Sequence, residues 1–307
     1  MNDQPQRHII LCADDYGISP AVSGAIRDLI GKKRINATSV MVTAPTFSHA
    51  EAAALREAAG NHAAIGLHLT LTAPFQPHGH GFTPLRHGAF LPLASMARRG
   101  LSRSLAPALL DTEIAGQCAA FRNAFGRAPD YIDGHQHIHV FPQISEALLR
   151  VTKHAAPHAW LRQCGRAVRK NLEPKGLVLD ALSRRFRRLA AAHGLRTNPA
   201  FAGTYAFRVR ADYAKLFPDF LDGMPDGGVI MCHPGIVDAE LARLDPLTDL
   251  REREYEYFLG NGFPKLLAAH GVTLAHPSSA HSRASGNPDT DLSAERAGSP
   301  LSRGRAD

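Results

Sequence analysis

The sequence predicts an α/β fold, a single distorted (β/α) barrel of seven to eight parallel strands. Three observations predict it. Short apolar runs alternate with amphipathic segments along most of the chain, the pattern of parallel strands joined by crossover helices. Seven or eight such runs occupy about 275 of the 307 residues, the size of one barrel. No GxGxxG or GxxxxGK[ST] pattern comes after the first run, which argues against a nucleotide-binding sheet. An open doubly wound sheet is the alternative arrangement.

Taken in order, residues 8–13 (HIILCA) are a buried strand stopped by Asp14 and Asp15. SPAVSGAIRDLIGKKRI comes next as a helix, with Ser19 placed to cap it and Pro20 suited to its first turn. ATSVMVTA (37–44) is a strand, FSHAEAAALREAAG (47–60) a helix ended by Gly60, and AAIGLHLTLT (63–72) a strand holding His68. Residues 73–104, rich in Pro, Gly and His, read as a long loop over one end of the fold. Helix resumes over 108–126. YIDGHQHIHVF (131–141) reads as a strand, PQISEALLRVTKHA (142–155) as a helix and AWLRQ (159–163) as a short strand. The basic segment after it reads as helical, then come strand 201–207, helix 211–222, strand GGVIMCHPG (227–235), helix 249–267 and strand 272–276. From 278 onward bulky apolar residues almost vanish, so the expected organisation is one barrel domain over 1–277 and a disordered tail over 278–307.

Composition narrows the function classes. Apolar residues are 44% and charged residues 21%, a globular balance that excludes collagenous and coiled-coil chains. No stretch of eighteen apolar residues occurs, and the N-terminus lacks a signal-type apolar region, so a cytoplasmic location is expected. The four cysteines form no CxxC pair, which removes zinc knuckles and a disulfide framework. Net charge is +7, and segment 161–196 alone holds ten Lys/Arg against two acids. That is a local patch rather than the broad basic surface of a nucleic-acid binder. Seventeen histidines are many for this length, and histidine is the commonest metal ligand.

Four spots fall at the C-terminal ends of predicted strands: Asp14–Asp15, His68, the Asp133/His135/His137/His139 cluster, and His233. Active sites of parallel α/β folds assemble at those ends. Each spot has a plainer reading alone. DDYG is ordinary turn chemistry, His68 suits a satisfied core histidine, the cluster suits a solvated strand end, and His233 precedes a Pro-Gly turn. Their convergence is what points to chemistry. As a strand, 131–141 would put Asp133, His135, His137 and His139 on one face. One Asp and two His make a facial O,N,N set for a borderline divalent metal such as Zn²⁺, with positions left for water and substrate. A second carboxylate to take a proton and a histidine to give one complete a kit for hydrolysing an amide or ester.

ADDYGIS, GLHLTLT, DGHQHIHVFP and MCHPG, in that order, resemble the YdjC-like carbohydrate deacetylases, which include chitooligosaccharide and hopanoid-biosynthesis deacetylases; the likeness runs over about residues 7–276. The resemblance implies a distorted barrel related to the polysaccharide deacetylases and metal-dependent removal of acetyl from an N-acetylated sugar. It implies Asp15, His68 and His135 as metal ligands, Asp14 as general base, His233 as general acid, and His137 and His139 as pocket lining. The implied cofactor is one divalent ion, Mg²⁺ by family association or Zn²⁺ by ligand type. Gly134 stands where relatives often carry Ser or Ala, a difference expected to be harmless.

Two rivals differ in class. A metallophosphoesterase would need more carboxylates at the strand ends. A non-enzymatic His-rich metal-binding protein would need neither Asp14 nor His233. Substrate choice is expected in the 73–104 loop and the 161–200 region, which match the family less clearly. Within the latter lies 177–192, LVLDALSRRFRRLAAA, where Leu179, Leu182, Phe186 and Leu189 share one face opposite Arg184, Arg187 and Arg188. That pattern fits an outer barrel helix. It also fits an interfacial helix touching an anionic membrane, which would favour a lipid-linked sugar such as an N-acetylglucosaminyl hopanoid over a soluble chitooligosaccharide.

Overall fold

A parallel sheet built around one central strand organises the computed structural model, which describes residues 6–168, 174–205 and 212–274. The strands are β1 (Arg7–Tyr16), β2 (Ala37–Val40), β3 (Ala64–Leu69), β4 (Tyr131–Gly134), β5 (Trp160–Leu161), β6 (Phe201–Ala202), β7 (Val229–Cys232) and β8 (Val272–Leu274). Their order is β5-β4-β3-β2-β1-β7-β6, with β8 paired to the first residues of β1. Ile9 to Ala13 of β1 are fully buried, as expected of a strand covered on both faces. The two ends of the path meet through the isolated parallel bridges Leu161↔Thr197 and Arg166↔Phe201. The sheet therefore curls into the distorted barrel that the sequence predicts.

The helices around it are α1 (Pro20–Gly31), α2 (His49–Ala59), α3 (Leu93–Ser102), α4 (Pro107–Phe125), α5 (Pro142–Ala155), α6 (Pro174–Ala192), α7 (Tyr213–Leu221), α8 (Ala239–Leu244), α9 (Asp249–Leu259) and α10 (Gly262–Ala269). Ser19 caps α1 by accepting from Val22 N at 3.3 Å, with Pro20 in the first turn, and Gly60 ends α2. No helix among the described residues is long and apolar enough to cross a membrane. All four cysteines are buried and free.

Four expectations need correction. The 73–104 region is not loop throughout: α3 forms inside it because Met96, Ala97 and Gly100 make a buried stripe. Helix 249–267 is two helices, α9 and α10, divided at Gly260. The basic segment is not helical over 161–168, before α6 begins, and there Arg162 enters the barrel. Strand 131–141 ends at Gly134, where the chain leaves the sheet in a tight turn. Strands 201–207 and 272–276 are shorter than expected over the described residues, and the 278–307 tail lies outside them.

α6 behaves as an outer barrel helix. Leu179 and Phe186 are buried, and Leu182 and Leu189 pack partly buried against the core. Arg184, Arg187 and Arg188 are exposed, while Arg185 pairs with Glu146 of α5. The stripe of Leu179, Leu182, Phe186 and Leu189 faces the barrel.

Candidate metal-centred active site

Asp14 and Asp15 sit where the pairing of β1 with β2 shifts register between Ala13 and Tyr16. Asp15 has φ 67°, a left-handed backbone that non-glycine residues adopt at a cost. The irregularity sends the two neighbouring carboxylates to different partners. Asp15 Oδ1 lies 3.2 Å from His68 Nε2 of β3 and 3.0 Å from His135 Nδ1. Asp14 instead takes both guanidinium nitrogens of Arg162, at 2.6 and 2.7 Å. His233, just past β7, brings Nε2 to 4.0 Å from Asp15 Oδ2. The five residues expected from the sequence are thus gathered at one mouth of the barrel, at the C-terminal ends of β1, β3, β4 and β7.

The histidine cluster is arranged otherwise than predicted. After Gly134 the chain turns tightly over His135–Val140, with Gln136 at φ 55° and His137 at φ 59°. The period of two that would align His135, His137 and His139 is broken, and each ring goes its own way. His135 faces Asp15, with Phe75 of the long loop edge-on to it at 5.6 Å. His137 meets Phe201 edge-on and lies 3.6 Å from Cys164 Sγ. His139 folds back under β4 and donates to Arg162 O at 2.7 Å. A Cβ on Gly134 would meet His139 Nδ1 at 2.8 Å, so a Ser or Ala here would have to displace that ring.

Sequence reasoning misses three supporting residues, Arg162, Arg251 and Glu254, and leaves Asp133 without a role. Asp133 accepts from His68 Nδ1 at 2.6 Å, which fixes the ring and presents Nε2 to Asp15. Arg162 is fully buried and reaches Asp133 Oδ2 at 2.9 Å as well as Asp14. Arg251 of α9, also fully buried, donates to Asp15 Oδ2 at 2.6 Å and Asp245 Oδ2 at 2.8 Å. Glu254, one turn on, accepts from His233 N at 2.5 Å and from Tyr205 Oη at 2.7 Å. A charged residue inside the apolar run AWLRQ is the signal that could have found Arg162. Arg251 and Glu254 lie in a segment so rich in charge that nothing there marks them as buried.

The charges explain the titration behaviour. Burial works against ionisation of Asp14, yet Arg162 overcomes it and holds the carboxyl well below its usual range. Asp15 is likewise held low despite burial, by Arg251 and His135. Burial opposes charge on His68, but Asp133 and Asp14 outweigh it and raise its pKa to about 10. Burial lowers His233, with Asp15 pulling the other way. Burial pushes Glu254 up to about 7.

A divalent metal fits the first of these groups. Ligand atoms of Asp15, His68 and His135 lie within 4.8 Å of one another, all buried. Their donor set, one carboxylate and two imidazoles with a carboxylate behind one of them, is that of catalytic metal centres. Three buried carboxylates, Asp14, Asp15 and Asp133, face two buried guanidiniums. A second acidic group, Cys12, Asp14 and Asp133, also gathers within that distance. There Arg162 Nη1 already provides the cation, at 2.6 Å from Asp14, 2.9 Å from Asp133 and 3.8 Å from Cys12 Sγ.

Comparison with known proteins gives one consistent result. Carbohydrate deacetylases of mouse and human are 29% and 27% identical over 262 residues, covering 75% and 76% of this chain and 79% and 76% of their own lengths. A chitooligosaccharide deacetylase of Escherichia fergusonii is 32% identical over 144 residues, 45% of this chain and 53% of that protein. A crystal structure from Enterococcus faecalis V583, of a protein described as a candidate for cellobiose-phosphate cleavage, shares the fold with a TM-score of 0.69 and 22% identity, over 89% of this chain and 98% of that one. The family model for YdjC-like proteins matches residues 8–269, nearly the whole described body, and the chain belongs to the YdjC-like protein family.

Proposed function

We propose that this protein is a metal-dependent hydrolase that removes acetyl from an N-acetylated sugar. The observation that carries the reading is the convergence of Asp15, His68 and His135 on one point, with Asp14 and His233 flanking it from β1 and β7. Asp15, His68 and His135 would hold the ion. A bound divalent metal supplies polarisation of the acetyl carbonyl and acidification of a water. Asp14 is the base: Arg162 fixes its orientation and keeps it ionised, so it is ready to accept the water's proton. His233 is the group placed to protonate the departing amine. Because it rests below its ordinary pKa, the proton it delivers is one gained during turnover, and the site's source for it is the water's proton taken up first by Asp14. His137 and Phe75 wall the same mouth. The relatives named as carbohydrate deacetylases support the sugar amide as substrate.

The test is acetate release from a panel of N-acetylglucosaminyl compounds, with and without chelator. Release that stops with chelator and returns with metal supports the reading. A metal-loaded protein that releases no acetate from any of them refutes it. A metal-storage role would leave the Asp14–Arg162 pair and His233 without purpose.

Within that reading, the lipid-linked substrate, such as an N-acetylglucosaminyl hopanoid, rests on the outer side of α6. Arg184, Arg187 and Arg188 are exposed there, and Leu177 and Val178 are 38% and 54% exposed nearby. Contact would be electrostatic, about 1 kcal/mol per basic side chain near an anionic surface. Sedimentation with anionic vesicles at low salt, lost when the three arginines become Gln, is the expected result. Indifference to those vesicles leaves the soluble chitooligosaccharide as the better substrate.

A further inference from the structure

The two oxygens of Asp15 are used differently. Oδ1 faces His68 Nε2 at 3.2 Å and His135 Nδ1 at 3.0 Å, while Oδ2 is engaged by Arg251 Nη2 at 2.6 Å. Arg251 is itself fixed. Its Nε donates to Leu247 O at 2.9 Å and Nη2 also reaches Asp245 Oδ2 at 2.8 Å, with no exposure of the side chain. Among the described residues Nη1 finds no acceptor, although it is buried. A buried guanidinium with an unmade hydrogen bond is a poor device for stability alone. Asp15 itself has a left-handed backbone, φ 67°, with one oxygen facing the two imidazoles and the other facing α9.

We propose that Arg251 is a positioning residue that confines Asp15 to a single ligand oxygen and withdraws charge from it, so that the metal is held less tightly and left a stronger Lewis acid. This rests on the metal-site reading above. A carboxylate shared with a full guanidinium donates less to a metal than a free one, and it cannot close on the ion with both oxygens. The cation of Arg251 also opposes a second cation directly, since the two flank one carboxylate. Asp245 is the counterweight. By sharing Nη2 it softens the hold of Arg251 on Asp15.

Two substitutions with opposite expected signs test the idea. Co²⁺ is titrated into metal-stripped wild type, Arg251→Met and Asp245→Asn, followed by calorimetry and by the visible Co²⁺ absorption. Arg251→Met should bind Co²⁺ roughly tenfold tighter or more, because one repelling charge is gone, and its spectrum should change as Asp15 contributes its second oxygen. Acetate release per metal-loaded site should fall. Asp245→Asn keeps the contact to Leu247 N and leaves Arg251 to Asp15 alone, so Co²⁺ binding should weaken. A purely structural role would weaken binding in both, and that result, or no change in Arg251→Met, overturns the proposal. If Arg251→Met does not fold, a tightened rather than weakened Asp245→Asn still refutes it. Failure of the wild type itself to bind Co²⁺ would instead overturn the metal site, and the role of Arg251 with it.

Discussion

Asp14 and Asp15 are adjacent, both buried and both acidic, yet their surroundings assign them different work. Arg162 grips Asp14 with two parallel hydrogen bonds, whereas Asp15 looks onto two imidazoles. Asp14→Asn should therefore leave metal content intact and cut turnover by roughly 10²-fold or more, since the base is lost and the ligands are not. Loss of metal from that variant, read by elemental analysis, would place Asp14 among the ligands instead. Asp133 acts one step further out, through the 2.6 Å hydrogen bond from His68 Nδ1. Asp133→Asn should weaken metal binding by about 10–100-fold while the ligands themselves remain. Calorimetric titration separates the two variants. Metal affinity unchanged in Asp133→Asn would mean that Ser39 Oγ, 3.0 Å from the same nitrogen, suffices to hold the ring.

At the scale of elements, the turn after β4 and helix α9 do what no strand does here. The turn packs Gly134 against the ring of His139, which is held by Arg162 O. Gly134→Ala fits the extended backbone but drives its Cβ into that ring, and should cost about 1–3 kcal/mol in urea unfolding. A neutral result would show that His139 can give way. Helix α9 delivers Glu254 to the backbone of His233. The carboxyl's ordinary pKa of 4.5 is pushed up to about 7 in the fold by burial. A group with a raised pKa binds its proton more tightly when folded, so its contribution to stability is full below about pH 4.5 and is lost as pH rises through about 7. Glu254→Gln removes that slope and adds a pH-independent cost for the displaced acceptor. The stability difference between variant and wild type should move in favour of the variant between about pH 5 and 8. A constant difference over that range would show that Glu254 is ionised throughout.

At the scale of the molecule, the strands pair without a gap from β5 round to β6, and the barrel is weakest where β5 meets β6. Asn198 stands in for a ladder there. It accepts from Gln163 N at 2.7 Å and donates to Ala200 O at 2.8 Å and Gln163 O at 3.2 Å, fully buried. Asn198→Ala would leave Gln163 N and Gln163 O unpaired, at roughly 1–3 kcal/mol each, while Ala200 O keeps its bond from Val229 N. The seam adjoins Arg162, so the loss should reach the site: a lower melting temperature together with reduced turnover. A stable variant with full activity would show that the seam tolerates water.

Local pattern alone dictates the alternation of strand and helix, the caps at Ser19 and Gly60, and the four polar spots at the strand ends; the choice of His135 within DGHQHIH comes from the family resemblance. An apolar run must be buried, and the polar residue that stops it must lie at its end. Local pattern also gives α6 an apolar face and a basic one, though not the surface that the apolar face meets. The closed barrel assigns that face to its own core, parts the histidines of DGHQHIH after Gly134, and buries Arg162, Arg251 and Glu254 beside the site. The physical reason is the same in each case. A charged side chain reads as solvent-exposed until its partner is known, and these partners lie far along the chain: Asp14 for Arg162, Asp15 for Arg251, His233 and Tyr205 for Glu254. Only the closing of the barrel brings them within reach.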